Sequence, residues 1–199
     1  MLTEVTPSRT GMRLSEFMAY SSDDRFELID GVMIPKMATI FVHTFIANLL
    51  AELINIWAQF GGAGRAFVEA TFVLADTPTS DWVTGSRIPD VAYISAERLQ
   101  HYRASVPDWR TRPLMLIPDL VIEVVSPNDK YTEIIDKVNR YLQDGVKRVW
   151  VVNPEQRQVV VYRAESHTLE LLTELDTLSD EALLPGFAAP LARLFADET

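Results

Sequence analysis

The stretch "PDLVIEVVSPND" at residues 118–129 sets Glu123 among Leu120, Val121, Ile122, Val124 and Val125. A carboxylate inside a run that reads as a buried strand is costly unless something pairs with it. Two other residues bear on what that partner is. Asp90, in "RIPDVAYIS", begins another strand candidate, and Lys137 stands on the helical stretch "YTEIIDKVNRYLQDG" that follows Glu123. All three can project toward one end of a sheet. Two carboxylates, a backbone carbonyl and waters make the hard-oxygen set that Mg²⁺ takes. Each residue alone also has a plainer reading. Asp90 after Pro89 suits a turn at the start of a strand. Glu123 suits a salt bridge to an arginine, or an edge position facing solvent. Lys137, four residues after Glu133, suits a surface ion pair.

The elements that must position these residues are legible as periodicity. "MRLSEFMAY" predicts a short helix, and "RFELIDGVMIP" predicts two strands joined at Asp30-Gly31, a dipeptide suited to tight hairpin turns. Residues Ile40 to Trp57 read as an amphipathic core helix and not a membrane span, with His43, Asn48, Glu52 and Asn55 as its polar sector and Gly61-Gly62 as its stop. "RAFVEATFVLA" and "IPDVAYIS" are strand candidates around the loop "DTPTSDWVTGS", and residues 96–117 form a basic, aromatic helix-plus-loop excursion. In the next helix Ile134, Ile135, Val138, Tyr141 and Leu142 share a face, and Gly145 is its C-terminal cap. "KRVWVVN" and "RQVVVYR" predict a hairpin around Pro154-Glu155-Gln156, "TLELLTE" a further strand, and residues 174–199 an acidic segment with a final apolar turn. Strands mixed with a few helices predict an α/β (α+β) fold, a sheet with helices packed on it. One domain over residues 1–199 is expected.

The net charge of −10, from 28 acids and 18 bases, argues against a general polyanion binder. The charge is uneven, and bases outnumber acids between Arg98 and Arg148. There Arg98, His101, Tyr102, Arg103, Trp109, Arg110 and Arg112 interleave cations with aromatics, as in surfaces that meet phosphates and unstacked bases. An irregular lid whose arginines pair with nearby acids fits the same stretch. Without cysteine there is no disulfide framework, thiolate nucleophile or cysteine zinc site. "MLTEVTPSRTGM" lacks an apolar signal core, so a cytoplasmic protein is expected. His43, His101 and His167 are far apart and form no metal-spacing motif, and His43 reads as a packing or capping histidine on the polar side of its helix. Serine-nucleophile motifs and glycine-rich phosphate loops are absent. The apolar strands "VWVVN" and "VVVYR", placed at sheet edges, would leave room for a homodimer.

Taken together, "FELIDGVMI", "RIPDVAYIS", "PDLVIEVVSPND" and "DKVNRYLQDGVKRVWVVNPEQRQVVVYR" resemble the putative restriction endonuclease family, long catalogued as a domain of unknown function, within the PD-(D/E)XK nuclease superfamily. The order and spacing of these segments, over roughly residues 13–170, make the resemblance specific. It implies a restriction-endonuclease-like mixed β-sheet core flanked by helices. It also implies Asp90 and Glu123 as metal ligands, the backbone carbonyl of Val124 as a third, and Glu27 as an additional acidic ligand or a holder of metal-bound water, although a solvent-facing strand glutamate fits Glu27 equally well. The sequence departs from the superfamily pattern at Val125, where a catalytic lysine stands two residues after the glutamate. The resemblance implies that this lysine has migrated to Lys137, which borders the apolar stripe beside Ile134 and Tyr141. Its stem can then lie buried while the ammonium reaches the site.

The activity implied is hydrolysis of DNA phosphodiester bonds by an endonuclease that uses Mg²⁺, with Mn²⁺ as a substitute, and holds DNA through a local basic cleft. A reading from another class is a non-catalytic relative that keeps the fold for dimerisation or protein interaction. Val125 and the acidic surface favour that reading, and retention of Asp90, Glu123 and Lys137 disfavours it.

Overall fold

The computed structural model describes residues 10–21, 25–37, 40–61, 63–166 and 168–196. The chain begins with β1 (Met12–Arg13), α1 (Leu14–Ser21) and the hairpin β2 (Phe26–Ile29) and β3 (Val32–Pro35). Asp30 and Gly31 both take positive φ, 50° and 82°, which is the turn geometry their dipeptide predicts. Next come α2 (Phe41–Gln59), β4 (Arg65–Val68), β5 (Phe72–Leu74), β6 (Trp82–Val83), β7 (Gly85–Arg87), β8 (Val91–Ile94) and α3 (Ala96–Ser105). The second half holds β9 (Leu120–Val124), α4 (Tyr131–Asp144), β10 (Arg148–Asn153), β11 (Gln158–Arg163), β12 (Glu170–Thr173), the hairpin β13 (Thr177–Asp180) and β14 (Leu184–Pro190), and α5 (Leu191–Leu194).

The main sheet has the order β12-β11-β10-β9-β8-β4. Within it β9 and β10 are the parallel pair, and the other neighbours are antiparallel. Parallel neighbours need a crossover rather than a tight turn, and α4 supplies it, ending at Gly145 in the left-handed conformation. The fold is a mixed α/β one, as expected.

Alternation along β9 decides where the carboxylate goes. Leu120, Ile122 and Val124 enter the core shared with Ile46, Leu50 and Ile54 of α2. Val121 enters the core on the other face, with Val138 and Tyr141 of α4. Glu123, two residues after Val121, therefore projects toward α4. Helix α2 is long and apolar enough to cross a membrane by composition, but its buried stripe packs on β4, β8 and β9.

Several expectations need correction. The loop "DTPTSDWVTGS" contains β6 and the start of β7, strands of two and three residues that pair with β1 and β5 and are too short to show alternation. Residues 174–199 contain the β13–β14 hairpin, whose Leu178, Leu184 and Phe187 complete the α2-side core. Pro185, Gly186 and Pro190 disguise it as a loop. His43 lies on the buried face of α2 beside Ile46 and Ala47, not among the polar residues. The apolar strands β10 and β11 are interior to the sheet, and the outer strand on their side is β12, with Leu171 exposed.

Asp119, just before β9, is fully buried. Its Oδ2 accepts the Ser95 N–H at 2.9 Å, and its Oδ1 pairs with Arg98 at 2.9 Å and Lys147 at 2.8 Å. Burial pushes the carboxyl up, but the Lys147 and Ser95 hydrogen bonds and the two cations outweigh it and hold the group below its usual range. A depressed folded value means that the stabilisation is full above about pH 4 and is lost as pH falls through the folded value. Asp119→Asn should cost about 1.5–3 kcal/mol at pH 7, the range for hydrogen bonds to charged groups. In urea unfolding the gap to wild type should narrow at pH 3, and an equal gap at both pH values would refute the charge-based account.

Candidate active site

The antiparallel register of β8 on β9 pairs Val91 with Ile122, which brings residue 90 opposite residue 123. Both carboxylates are buried and lie at the same end of the sheet. The two plainer readings of Asp90 and Lys137 are superseded by their contacts. Asp90 is more than a turn residue, because its Oδ2 accepts the N–H of Val124 at 2.8 Å, where β8 no longer supplies a backbone partner. The same oxygen lies 2.9 Å from His43 Nε2, and Oδ1 accepts from Lys36 Nζ at 3.1 Å. With its proton on Nε2 the imidazole donates to Asp90, and its buried Nδ1 has no hydrogen-bond partner among the described residues. Lys36 Nζ also donates to the Ile88 carbonyl at 2.9 Å.

Glu123 is met from α4. Lys137 Nζ donates to Oε2 at 2.8 Å and Tyr141 OH to Oε1 at 2.5 Å. Residues 137 and 141 are four apart, so one helical face delivers both donors. Glu133, the alternative partner of Lys137, pairs instead with Lys130 at 3.1 Å. Among the described residues no arginine pairs with Glu123.

The electrostatics follow the burial. Asp90 is pushed up by desolvation, but the His43 hydrogen bond, the charges of Lys36 and His43 and the Val124 N–H bring it down to about 2. Glu123 moves the other way, raised by burial and by the negative charge of Asp90, with Lys137 and Lys36 offsetting part of the rise. Lys137 is raised by the charge of Glu123 against its own desolvation. Burial and the Glu123 charge push the Tyr141 phenol far up, so it remains a donor. Two carboxylates that repel one another in a buried site call for positive charge beside both.

Glu27 of β2 is also buried, not solvent-facing. Its Oε1 accepts the Ile88 N–H at 2.8 Å, and its negative charge adds to the raising of Lys137 and Tyr141. Val124 gives its N–H to Asp90, and its carbonyl leaves the strand on the same side, as both groups of one strand residue do. Among the described residues no three His, Cys, Asp or Glu side chains cluster closely enough to hold a metal by themselves. The oxygen donors that suit a hard divalent cation here are the Asp90 and Glu123 carboxylates and the Val124 carbonyl.

Lys36, His43 and Tyr141 were not singled out as site residues from sequence. Tyr141 was legible as an apolar-face residue, and its hydroxyl four residues beyond Lys137 was the available signal. Lys36 and His43 lie 54 and 47 residues from Asp90, and no local pattern links them.

The basic excursion is partly absorbed by structure. Arg98 is paired with Asp119, four residues and therefore about 13 Å along β9 from Glu123. Arg112 pairs with Asp108 at 2.6 Å and donates to Ser80 O, and Tyr102 is buried. The guanidinium carbons of Arg103 and Arg110 lie 4.9 and 4.5 Å from the Trp109 ring centre. His101 is on α3 and away from both carboxylates in sequence and element, while His167 lies outside the described residues.

The fold is shared with a solved structure from Anabaena variabilis, described as a putative nuclease belonging to DUF820, at TM-score 0.72 and 22% identity, covering 92% of this chain and 97% of that one. No curated protein matches. The Uma2 family profile, described as putative restriction endonuclease, matches residues 14–192, and with Asp90, Glu123 and Lys137 gathered at one end of its sheet the chain belongs to that family.

Proposed function

We propose that the protein is a metal-dependent endonuclease that hydrolyses DNA phosphodiester bonds. The observation that carries this reading is the pairing of two buried carboxylates, Asp90 and Glu123, opposite one another in register, with Lys137 on the second. Asp90, Glu123 and the Val124 carbonyl would hold Mg²⁺, or Mn²⁺ in its place, with Glu27 beside them. A bound divalent ion lowers the pKa of a coordinated water and stabilises charge on phosphoryl oxygens. Lys137, with a partly exposed side chain, orients the attacking water or neutralises the charge that develops on the phosphate. Tyr141 holds the Glu123 carboxylate in its rotamer, and Lys36 and His43 do the same for Asp90. Membership in the Uma2 family supports DNA as substrate. Local cations such as Arg103 and Arg110 would offset the acidic net charge where the strand passes. The protein is read as working in the cytoplasm, with the outer strand β12 open to pairing with a second copy.

The donors already satisfying both carboxylates also suit a second reading, a nuclease fold kept for protein interaction, in which the Lys137–Glu123 pair only stabilises the core. Cleavage separates the two. Wild type should nick supercoiled plasmid with Mg²⁺ or Mn²⁺. Glu123→Ala and Lys137→Ala, purified in parallel, should each lose about 10²-fold or more, a typical loss for one transition-state partner. Equal nicking by all three would mean contamination or a wrong site, and no nicking by wild type would favour the interaction module.

Metal binding has its own readout. At Mg²⁺ a hundredfold above its dissociation constant, mass action adds about 2.7 kcal/mol to stability. A rise in melting temperature should appear in wild type and in Lys137→Ala but not in Asp90→Asn. An unchanged melting temperature in wild type at millimolar Mg²⁺ and Mn²⁺ would remove the metal from the proposal.

A further inference from the structure

A cavity of about 380 Å³ opens between the N-terminal turn of α2, the β10–β11 turn and α5, which is within the range of about 300–1,000 Å³ for small-molecule sites. Its walls include Phe41, Val42, Phe45, Pro154, Arg157 and Phe195. Phe41 is 84% exposed, and its ring centre lies 6.3 Å from that of Phe45. Arg157, in the left-handed conformation at φ 52°, sets a guanidinium at the rim and is anchored by Glu174 at 2.9 Å.

The position of this cavity ties it to the carboxylates. Because β10 runs parallel to β9 with Val152 beside Val124, its following turn lies beyond the end of β9 that carries Glu123. Pro154 is two residues past Val152, about 7 Å further along. Helix α2 stands between the two places, with His43 reaching Asp90 on one side and Phe41 and Phe45 lining the cavity on the other. No acidic residue occupies the first turn of α2, and among the described residues no side chain caps it. The backbone between site and cavity is therefore electropositive.

We propose that this cavity receives an unpaired nucleobase of the DNA strand that runs around α2 to Asp90 and Glu123. The proposal rests on the nuclease reading above and narrows its substrate to single-stranded or locally unpaired DNA. Two phenylalanine rings and a guanidinium offer stacking partners that every base can use. A wall with Arg157 as its charged side chain stacks a base without reading its edge, so the selection is for an unstacked base and not for a sequence. A base within an intact duplex is already stacked on both faces and cannot enter.

The test is binding in EDTA, where cleavage does not interfere, of fluorescein-labelled dT₁₂ and of the same strand annealed to dA₁₂, read by anisotropy. Wild type should prefer dT₁₂. Phe41→Ala should weaken dT₁₂ binding about 10-fold or more, given about 1–3 kcal/mol per stacked base, while leaving duplex binding unchanged. Phe41→Trp should retain the preference. Phe60→Ala is the control, because Phe60 is 86% exposed and lies about 28 Å away at the other end of α2. Equal dT₁₂ affinity in wild type and Phe41→Ala, or absence of dT₁₂ binding by wild type, would overturn the cavity assignment. A shift from dimer to monomer on Phe41→Ala in sedimentation, with unchanged dT₁₂ affinity, would also overturn it, by giving the cavity to a second copy. None of these results alters plasmid nicking by wild type against Glu123→Ala, so the pocket can fail while the nuclease reading stands.

Discussion

A carboxylate near the end of a strand that is buried along its whole length is the constraint around which this fold is organised. Desolvating an ion costs several kcal/mol even after the protein relaxes, and Glu123 has Asp90 opposite it to raise that cost further. The chain meets the demand from three directions. Helix α4 delivers Lys137 and Tyr141 to Glu123, the end of β3 delivers Lys36 to Asp90, and α2 delivers His43. The choice of which helix face points inward, and where each element ends, follows from bringing those donors to one place.

This arrangement explains which parts of the site could be read from the sequence. Glu123 stood out because its neighbours are apolar on both sides, and Lys137 because it borders an apolar stripe on a strongly patterned helix. The separation between them is 14 residues, a strand, a turn and the start of a helix, so local periodicity places both. The donors to Asp90 are a different matter. His43 belongs to a helix whose polar residues were grouped too broadly. At 100° per residue it falls with Ile46 and Leu50, not with Asn48 and Glu52. Lys36 follows a hairpin whose strand β3 is exposed throughout, which gave no hint that its last neighbour turns inward.

The fold was legible to a similar depth. Strong alternation and a glycine cap marked β9, α4 and the β10–β11 hairpin, whereas β6 and β7 are too short to carry a period and β14 is broken up by Pro185, Gly186 and Pro190. The same limit applies to charge. The excess of bases between Arg98 and Arg148 suggested a local basic cleft, but Asp119 takes Arg98 and Lys147 together, and Asp180 with Glu165 takes Arg148. Acids far apart in sequence, Asp119 and Asp180 of them buried, neutralise part of it, and only the tertiary arrangement reveals them.

The mixed sheet has a consequence for the order in which the molecule is made. Strands β10 and β11 meet across a four-residue turn, so they can pair early, whereas β9 reaches β10 only after α4 has closed its crossover. The grip on Asp90 spans longer stretches still, closing loops of 47 and 54 residues to His43 and Lys36. Loop-closure entropy and high contact order place such contacts late in folding. By the same argument the donors to Asp90 are expected to close after Lys137 has met Glu123. The two halves of the site then differ in the length of chain each must close, 14 residues for Lys137 on Glu123 against 47 and 54 for His43 and Lys36 on Asp90.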